Sequence, residues 1–212
     1  MGCNDLISDE DIENIYQDDS LILRNEVVTS CKNDDIKKAT IHIYDKDNLH
    51  MCEGGRIGAI IRKYHRNSHF FSPSNPSDIG KVVTHEQFLL RPQYRRKSII
   101  KIIHPKEVET YIRLGFQEIQ LEAEFDGLIV WKKMHFKFKE DLNLNFMKIA
   151  IQKYLFEVKG LSNRDIANIV KSNPFNIQIE YLKGNSPEQD FSDWIYSEYP
   201  SMGIIYMYKE LT

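Results

Sequence analysis

Apolar and polar positions alternate most cleanly at residues 39–44 (ATIHIY), where Ile41 and Ile43 share one face and Thr40, His42 and Tyr44 the other. A period of two with one apolar face predicts a half-buried strand. Residues 21–30 (LILRNEVVTS) read as the strand before it, with a polar turn at 33–38 between them. A turn at Asp45-Lys46-Asp47-Asn48 follows, and a third strand starts after Gly54-Gly55 and runs to Arg62. Residues 63–80, with His65, His69 and the pairs Ser72-Pro73 and Asn75-Pro76, predict a loop. The first part of the chain is therefore expected to be consecutive antiparallel strands.

After Lys81 the period changes. Residues 82–90 form an apolar strand, 91–98 a basic turn, and the next segment has helical spacing up to Gly115, a helix stop. Pro105 falls inside that helix, so the chain either kinks after His104 or restarts with Pro105 in a first turn. A strand at 116–124 and a helix at 125–134 complete a βαβα unit, which favours a parallel strand pair joined by a crossover. Phe136 and Phe138 continue as a strand able to pair in antiparallel fashion with a closing strand at 202–211. Between them lie a helix at 141–160, a second helix at 163–171 capped by Ser162, a strand at 175–182 and an acidic, aromatic loop at 184–200. At the other end, residues 1–20 hold seven acids and no lysine or arginine, with apolar residues spaced for a short helix capped by Ser8. The whole reads as one α/β domain with a mixed sheet: an acidic segment at 1–20, a core at 21–140, a helical insertion and strand at 141–183, and a loop and closing strand at 184–212.

The basic turn carries the first chemistry. Strand ends facing helix N-termini are where such sheets bind ligands, and free amides at a helix start favour an anion. Arg95, Arg96 and Lys97 with Ser98 stand at that place, which points to a phosphate.

The order of elements, the turn Leu90-Arg91-Pro92-Gln93-Tyr94-Arg95-Arg96-Lys97-Ser98-Ile99-Ile100, and the later Leu121-Glu122-Ala123 and Trp131-Lys132-Lys133-Met134-His135-Phe136 resemble the GNAT acyltransferase superfamily. That family's pyrophosphate loop, Q/R-x-x-G-x-G/A, is matched by Arg95-x-x-Ser98-x-Ile100, with both glycines replaced. The resemblance implies a GNAT-like fold and acetyl-CoA as acyl donor. Its pyrophosphate would be held by residues 95–100, including Arg95, Arg96, Lys97, Ser98, Ile99 and Ile100, and its pantetheine arm would pair with Phe88, Leu89 and Leu90. It also implies a carboxylate on the preceding strand that takes the acceptor's proton, Glu86 first and His85 second. Trp131 stands where many members carry a tyrosine as general acid, and tryptophan cannot serve. That leaves Tyr111, Tyr206 and Tyr208 as candidates. Glu124 and Gly127 depart from the family's usual asparagine and alanine. The implied reaction is transfer of an acetyl group to an unidentified amine, on a small molecule or a protein. The missing glycines keep open a catalytically inactive binding or regulatory module.

Composition adjusts this little. At 212 residues, 42% hydrophobic, with a net charge of -3 and a pI near 6.2, the chain can bury a full core and has no global pull toward nucleic acid or anionic membrane. The segment from Gly160 to Ala167 has the outline of a helix-turn-helix but offers few bases, so nucleic acid is not an expected partner. No apolar run is long enough for a membrane span. Cys3, Cys31 and Cys52 suggest neither a disulfide framework nor a zinc site, which makes the reducing cytoplasm the default location. His65 and His69 are four apart with no third ligand at matching spacing, so no metal is expected. A homodimer is compatible with the sequence, and the acidic patches suit a cationic acceptor.

Overall fold

The computed structural model describes residues 2–17, 23–45, 55–71, 78–91, 94, 99–123, 127–170, 177–186, 189–199 and 205–212. The elements run α1 (Asp9–Tyr16), β1 (Leu23–Asn33), β2 (Ile36–Asp45), β3 (Arg56–His69), β4 (Ile79–Leu90), α2 (Ile99–Arg113), β5 (Glu118–Ala123), α3 (Gly127–Lys133), β6 (Lys137–Phe138), α4 (Glu140–Glu157), α5 (Asn163–Ile169), α6 (Ile179–Leu182), α7 (Phe191–Glu198) and β7 (Ile205–Glu210). This is the expected α/β class with a seven-stranded mixed sheet. The chain divides into two compact units, the first comprising 1–70, 75–120 and 210–212, the second 71–74 and 121–209.

In the first unit the strand order is β1-β2-β3-β4-β5. The first four form an antiparallel meander. Asn33 turns the chain by accepting the Asp35 N–H at 3.0 Å, so the turn is short and β2 starts at Ile36 rather than after Lys38. Lys37, expected in that turn, is buried in β2 and donates to the Ile7 carbonyl at 2.8 Å while pairing with Asp9. The first part of the loop expected at 63–80 is strand instead, because β3 continues to His69. Polar residues of 63–69 lie where they can be solvated or paired, as His65 is with Thr84 at 3.1 Å. Register fixes the faces. Ala39, Ile41, Ile60, Arg62, Tyr64, Val83 and His85 share the buried face.

Helices α1 and α2 cover that face. Ser8 opens α1 with a capping box, accepting the Asp11 N–H at 3.0 Å, and Ile12, Ile15 and Tyr16 turn inward. Helix α2 is continuous from Ile99 to Arg113 with Pro105 inside it, so the chain does not restart at the proline. It leads to β5, and the Gln117 N–H donates to the Lys81 carbonyl at 3.0 Å, so β4 and β5 start side by side in the parallel sense of a crossover. Contrary to the cysteine reading, Cys3 and Cys31 are joined as a disulfide, with Cα atoms 6.0 Å apart. A separation of 28 residues carries no local signal of that proximity.

In the second unit the order is β5-β7-β6. Strands β6 and β7 pair in antiparallel fashion at Phe138 and Met207, as the pattern predicts. Ser162 caps α5 by accepting the Asp165 N–H. Two expectations fail here. Residues 179–182, placed in a strand, form a helical turn, and 191–198, placed in a loop, form α7. Phe191, Trp194 and Ile195 are spaced for one helical face, and Phe191 and Trp194 pack on Tyr154 at 5.2 and 5.4 Å between ring centres. Tyr154 also donates to the Gln189 carbonyl at 2.7 Å. Acidic and small residues around this face disguise a helix that exists to cover a buried tyrosine.

Candidate functional site

The β3–β4 ladder is interrupted once near its centre. Ile61 faces Gln87 while Arg62 faces His85, so Glu86 is the extra residue of a β-bulge. A bulge adds a residue to one strand and re-aims the side chains beside it. Here His85 turns to the buried face and Glu86 to the opposite face, where its carboxylate pairs with Lys63 and, at 3.7 Å, with Lys38. The Glu86 side chain keeps 28% exposure. Of the two predicted proton acceptors, Glu86 and His85, it is the one that solvent reaches.

His85 and Tyr111 belong to a different environment. Both are buried, in a cluster centred on the fully buried carboxylate of Glu107. Glu107 accepts from Arg62 Nε at 2.9 Å and from the Tyr16 hydroxyl at 2.7 Å. His104 Nδ1 lies 3.3 Å and His85 Nε2 3.9 Å from its other oxygen. Burial alone would push the Glu107 carboxyl up; the Arg62 guanidinium, with His85 and His104, outweighs this and holds it well below the usual carboxylate range. Burial raises the Tyr111 hydroxyl well above its ordinary value, and pushes that of Tyr64 up to about 12. Sequence reading passed over both Arg62 and Glu107. They lie 45 residues apart, each in an ordinary run of charges.

Beyond the bulge, Phe88 is half-buried, Leu89 is exposed and Leu90 is buried, the alternation of a strand end. Gly58 permits close approach there, since a Cβ at that position would lie 2.3 Å from the Leu89 carbonyl oxygen. The Arg91 N–H donates to the Ile57 carbonyl at 2.8 Å, carrying the ladder one residue past β4. The predicted phosphate residues Arg95, Arg96, Lys97 and Ser98 lie outside the described residues. Ile99 is buried and Ile100 half-buried in the first turn of α2. Glu124 also lies outside the described residues.

Solved structures with a similar arrangement are acetyltransferases and a synthase. Nourseothricin acetyltransferase matches 61% of this chain and 79% of its own at 15% identity, with a TM-score of 0.33. N-acetylglutamate synthase from Neisseria gonorrhoeae, complexed with coenzyme A and N-acetyl-glutamate, matches 82% of this chain and 26% of its own at 9% identity and a TM-score of 0.32. An acetyltransferase of the GNAT family from Staphylococcus aureus Mu50 matches 96% of this chain and 76% of its own at 12% identity and a TM-score of 0.35. The likeness is one of fold. No family model matches the chain, and no curated protein matches it by sequence.

Trp131, at the position where the resemblance places a general acid, is buried against Phe136 with ring centres 5.2 Å apart. The Phe136 N–H donates to the Trp131 carbonyl and the His135 N–H to that of Lys132, with His135 at a φ of 66°. This is a Schellman stop, and Trp131 with Phe136 is its apolar clasp. Tyr111 has the same place at the end of α2. Phe116 donates to its carbonyl at 2.9 Å, Gly115 has a φ of 76°, and the Tyr111 and Phe116 rings meet at 5.7 Å. Tyr208 is buried and Tyr206 half-buried on β7, with Phe71 against Tyr206 at 5.9 Å.

Proposed function

We propose that this chain is an acyl-CoA-dependent N-acyltransferase, with acetyl-CoA as donor and an amine as acceptor. The observation that supports it most directly is the bulge in β4, which lifts a half-exposed carboxylate out of the ladder on the strand that leads into the α2 crossover. An amine must be neutral to attack a thioester, and Glu86 takes its proton. In this reading Lys63 and Lys38 hold the carboxylate in place, while His85 and Tyr111 support β4 from the core. Phe88, Leu89 and Leu90 receive the pantetheine arm, and amides and cations of residues 95–100 hold the pyrophosphate. No general acid is assigned. Proximity and orientation supply much of the rate when two substrates are held together. The acceptor carries a positive charge in solution, to which the acidic segments are suited.

Thermal shift with acetyl-CoA tests this. A ligand that binds only the folded chain raises its melting temperature, and at ~100 times the dissociation constant the gain is about 2.7 kcal/mol. The expected result is a shift that disappears in Arg95→Ala and persists in Glu86→Gln, since Glu86 serves the acceptor. No shift with millimolar acetyl-CoA would remove the proposal.

A further inference from the structure

From the buried cluster we infer that Arg62 is a positioning residue, which ties helix α2 to the bulge in β4 and so fixes the strand end that receives the acyl donor. Its Nε donates to Glu107 of α2 at 2.9 Å, while Nη1 donates to the Gln87 carbonyl at 2.9 Å and the Ile61 carbonyl at 3.1 Å. Ile61 and Gln87 are the pair at which the register shifts past Glu86. A bulge disrupts the local ladder and leaves backbone groups in need of partners. Here a guanidinium supplies them from one side chain, in the planar fork that only arginine has. A hydrophobic side chain of the same volume would fill the space without holding the bulge, and a buried ion pair is not by itself a strong source of stability. The pair's position, with one end on α2 and the other on the bulge, is what gives it a use beyond packing. Tyr16 of α1 adds a hydrogen bond to the same carboxylate from the side of the helices, and so provides an internal control.

The inference rests on the acyltransferase reading for its ligand but not for its geometry, and the experiment has a separate arm for each. Arg62→Lys retains a charge for Glu107 but cannot also reach two carbonyls. Tyr16→Phe loses a buried hydrogen bond and leaves the brace in place. In the ligand-free chain, amide exchange at Gln87, Phe88 and Leu89 should rise at least about tenfold in Arg62→Lys relative to other β4 amides, and not in Tyr16→Phe. Acetyl-CoA affinity, measured calorimetrically, should fall about tenfold in Arg62→Lys and stay at the native value in Tyr16→Phe. Should Arg62→Lys fail to fold, Arg62→Met/Glu107→Leu removes both charges at once and is subjected to the same two measurements. If the arginine variant and Tyr16→Phe raise exchange equally across the first unit, or if the β4 amides do not respond, the brace is refuted. If native protein binds no acetyl-CoA, the acyltransferase reading falls, and the exchange arm still decides the brace.

Discussion

Helices α2 and α3 end in the same way with different residues. Each stops in a Schellman motif with an aromatic residue clasping a phenylalanine five positions later: Tyr111 with Phe116 in the first unit, Trp131 with Phe136 in the second. The left-handed residue is Gly115 in one and His135 in the other. Aromatic identity at these places says less about proton transfer than about ending a helix and sealing its last turn. The spacing that the resemblance gives to a catalytic tyrosine is required by the stop itself, and the proposed chemistry rests instead on β4, where Glu86 leaves the ladder.

The comparison predicts first that Trp131 acts through packing. Trp131→Ala should lower stability by about 3–5 kcal/mol, the range for removing a buried aromatic, whereas Trp131→Tyr should retain most of the clasp. Denaturant melts followed by circular dichroism measure both. If Trp131→Ala were as stable as native protein, the clasp would be an incidental contact and the stop would depend on its backbone bonds.

The two ends also differ in what lies beneath them. Tyr111 closes α2 one turn from Glu107 in a cluster of ionised and neutral groups, while Trp131 closes α3 against Phe136. The folded-state pKa of Glu107 is depressed, so its contribution is fully present above ~4.3 and is lost as pH falls through the lower folded value. Acid should loosen the first unit before the second. Both tryptophans, Trp131 and Trp194, are in the second unit, so indole fluorescence should stay native at a pH where amide exchange in α2 has already risen. Glu107→Gln should flatten that acid limb. Coincident transitions at all pH values in native protein would mean that Glu107 does not set the difference.

How much of this could be read from the chain follows from the range of the forces involved. Local signals were legible: the alternation around Ile41 and Ile43, the Ser8 and Ser162 caps, the Gly115 stop, and the pairing of Phe138 with the last strand. Signals that need a partner were not. Residues 63–69 look irregular because their polar side chains are explained only once β2 and β4 lie on either side. Helix α7 looks like loop until Tyr154 gives Phe191 and Trp194 something to cover. At the candidate site, Glu86 was legible as a carboxylate on a strand, but its bulge was not, because a bulge is a property of two strands. Arg62 and Glu107 were invisible for the same reason, and the charges of the turn at 95–98 were legible as chemistry without any geometry.

The backbone at the two stops offers smaller tests. Among the described residues nothing lies within 4 Å of a Cβ built on Gly115, so the cost of Gly115→Ala is conformational. A side chain at that left-handed position should cost about 1–2 kcal/mol, visible as a lower denaturation midpoint with an unchanged slope. His135 already carries that cost at a φ of 66° and is exposed, making no demand on the core. His135→Gly should therefore raise stability, by about 0.5–1 kcal/mol after allowing for the greater freedom of glycine in the unfolded chain. The sign is the informative part. Should His135→Gly lower stability instead, the imidazole must be holding something that the stop alone does not need, and the end of α3 would return as a place to look for function.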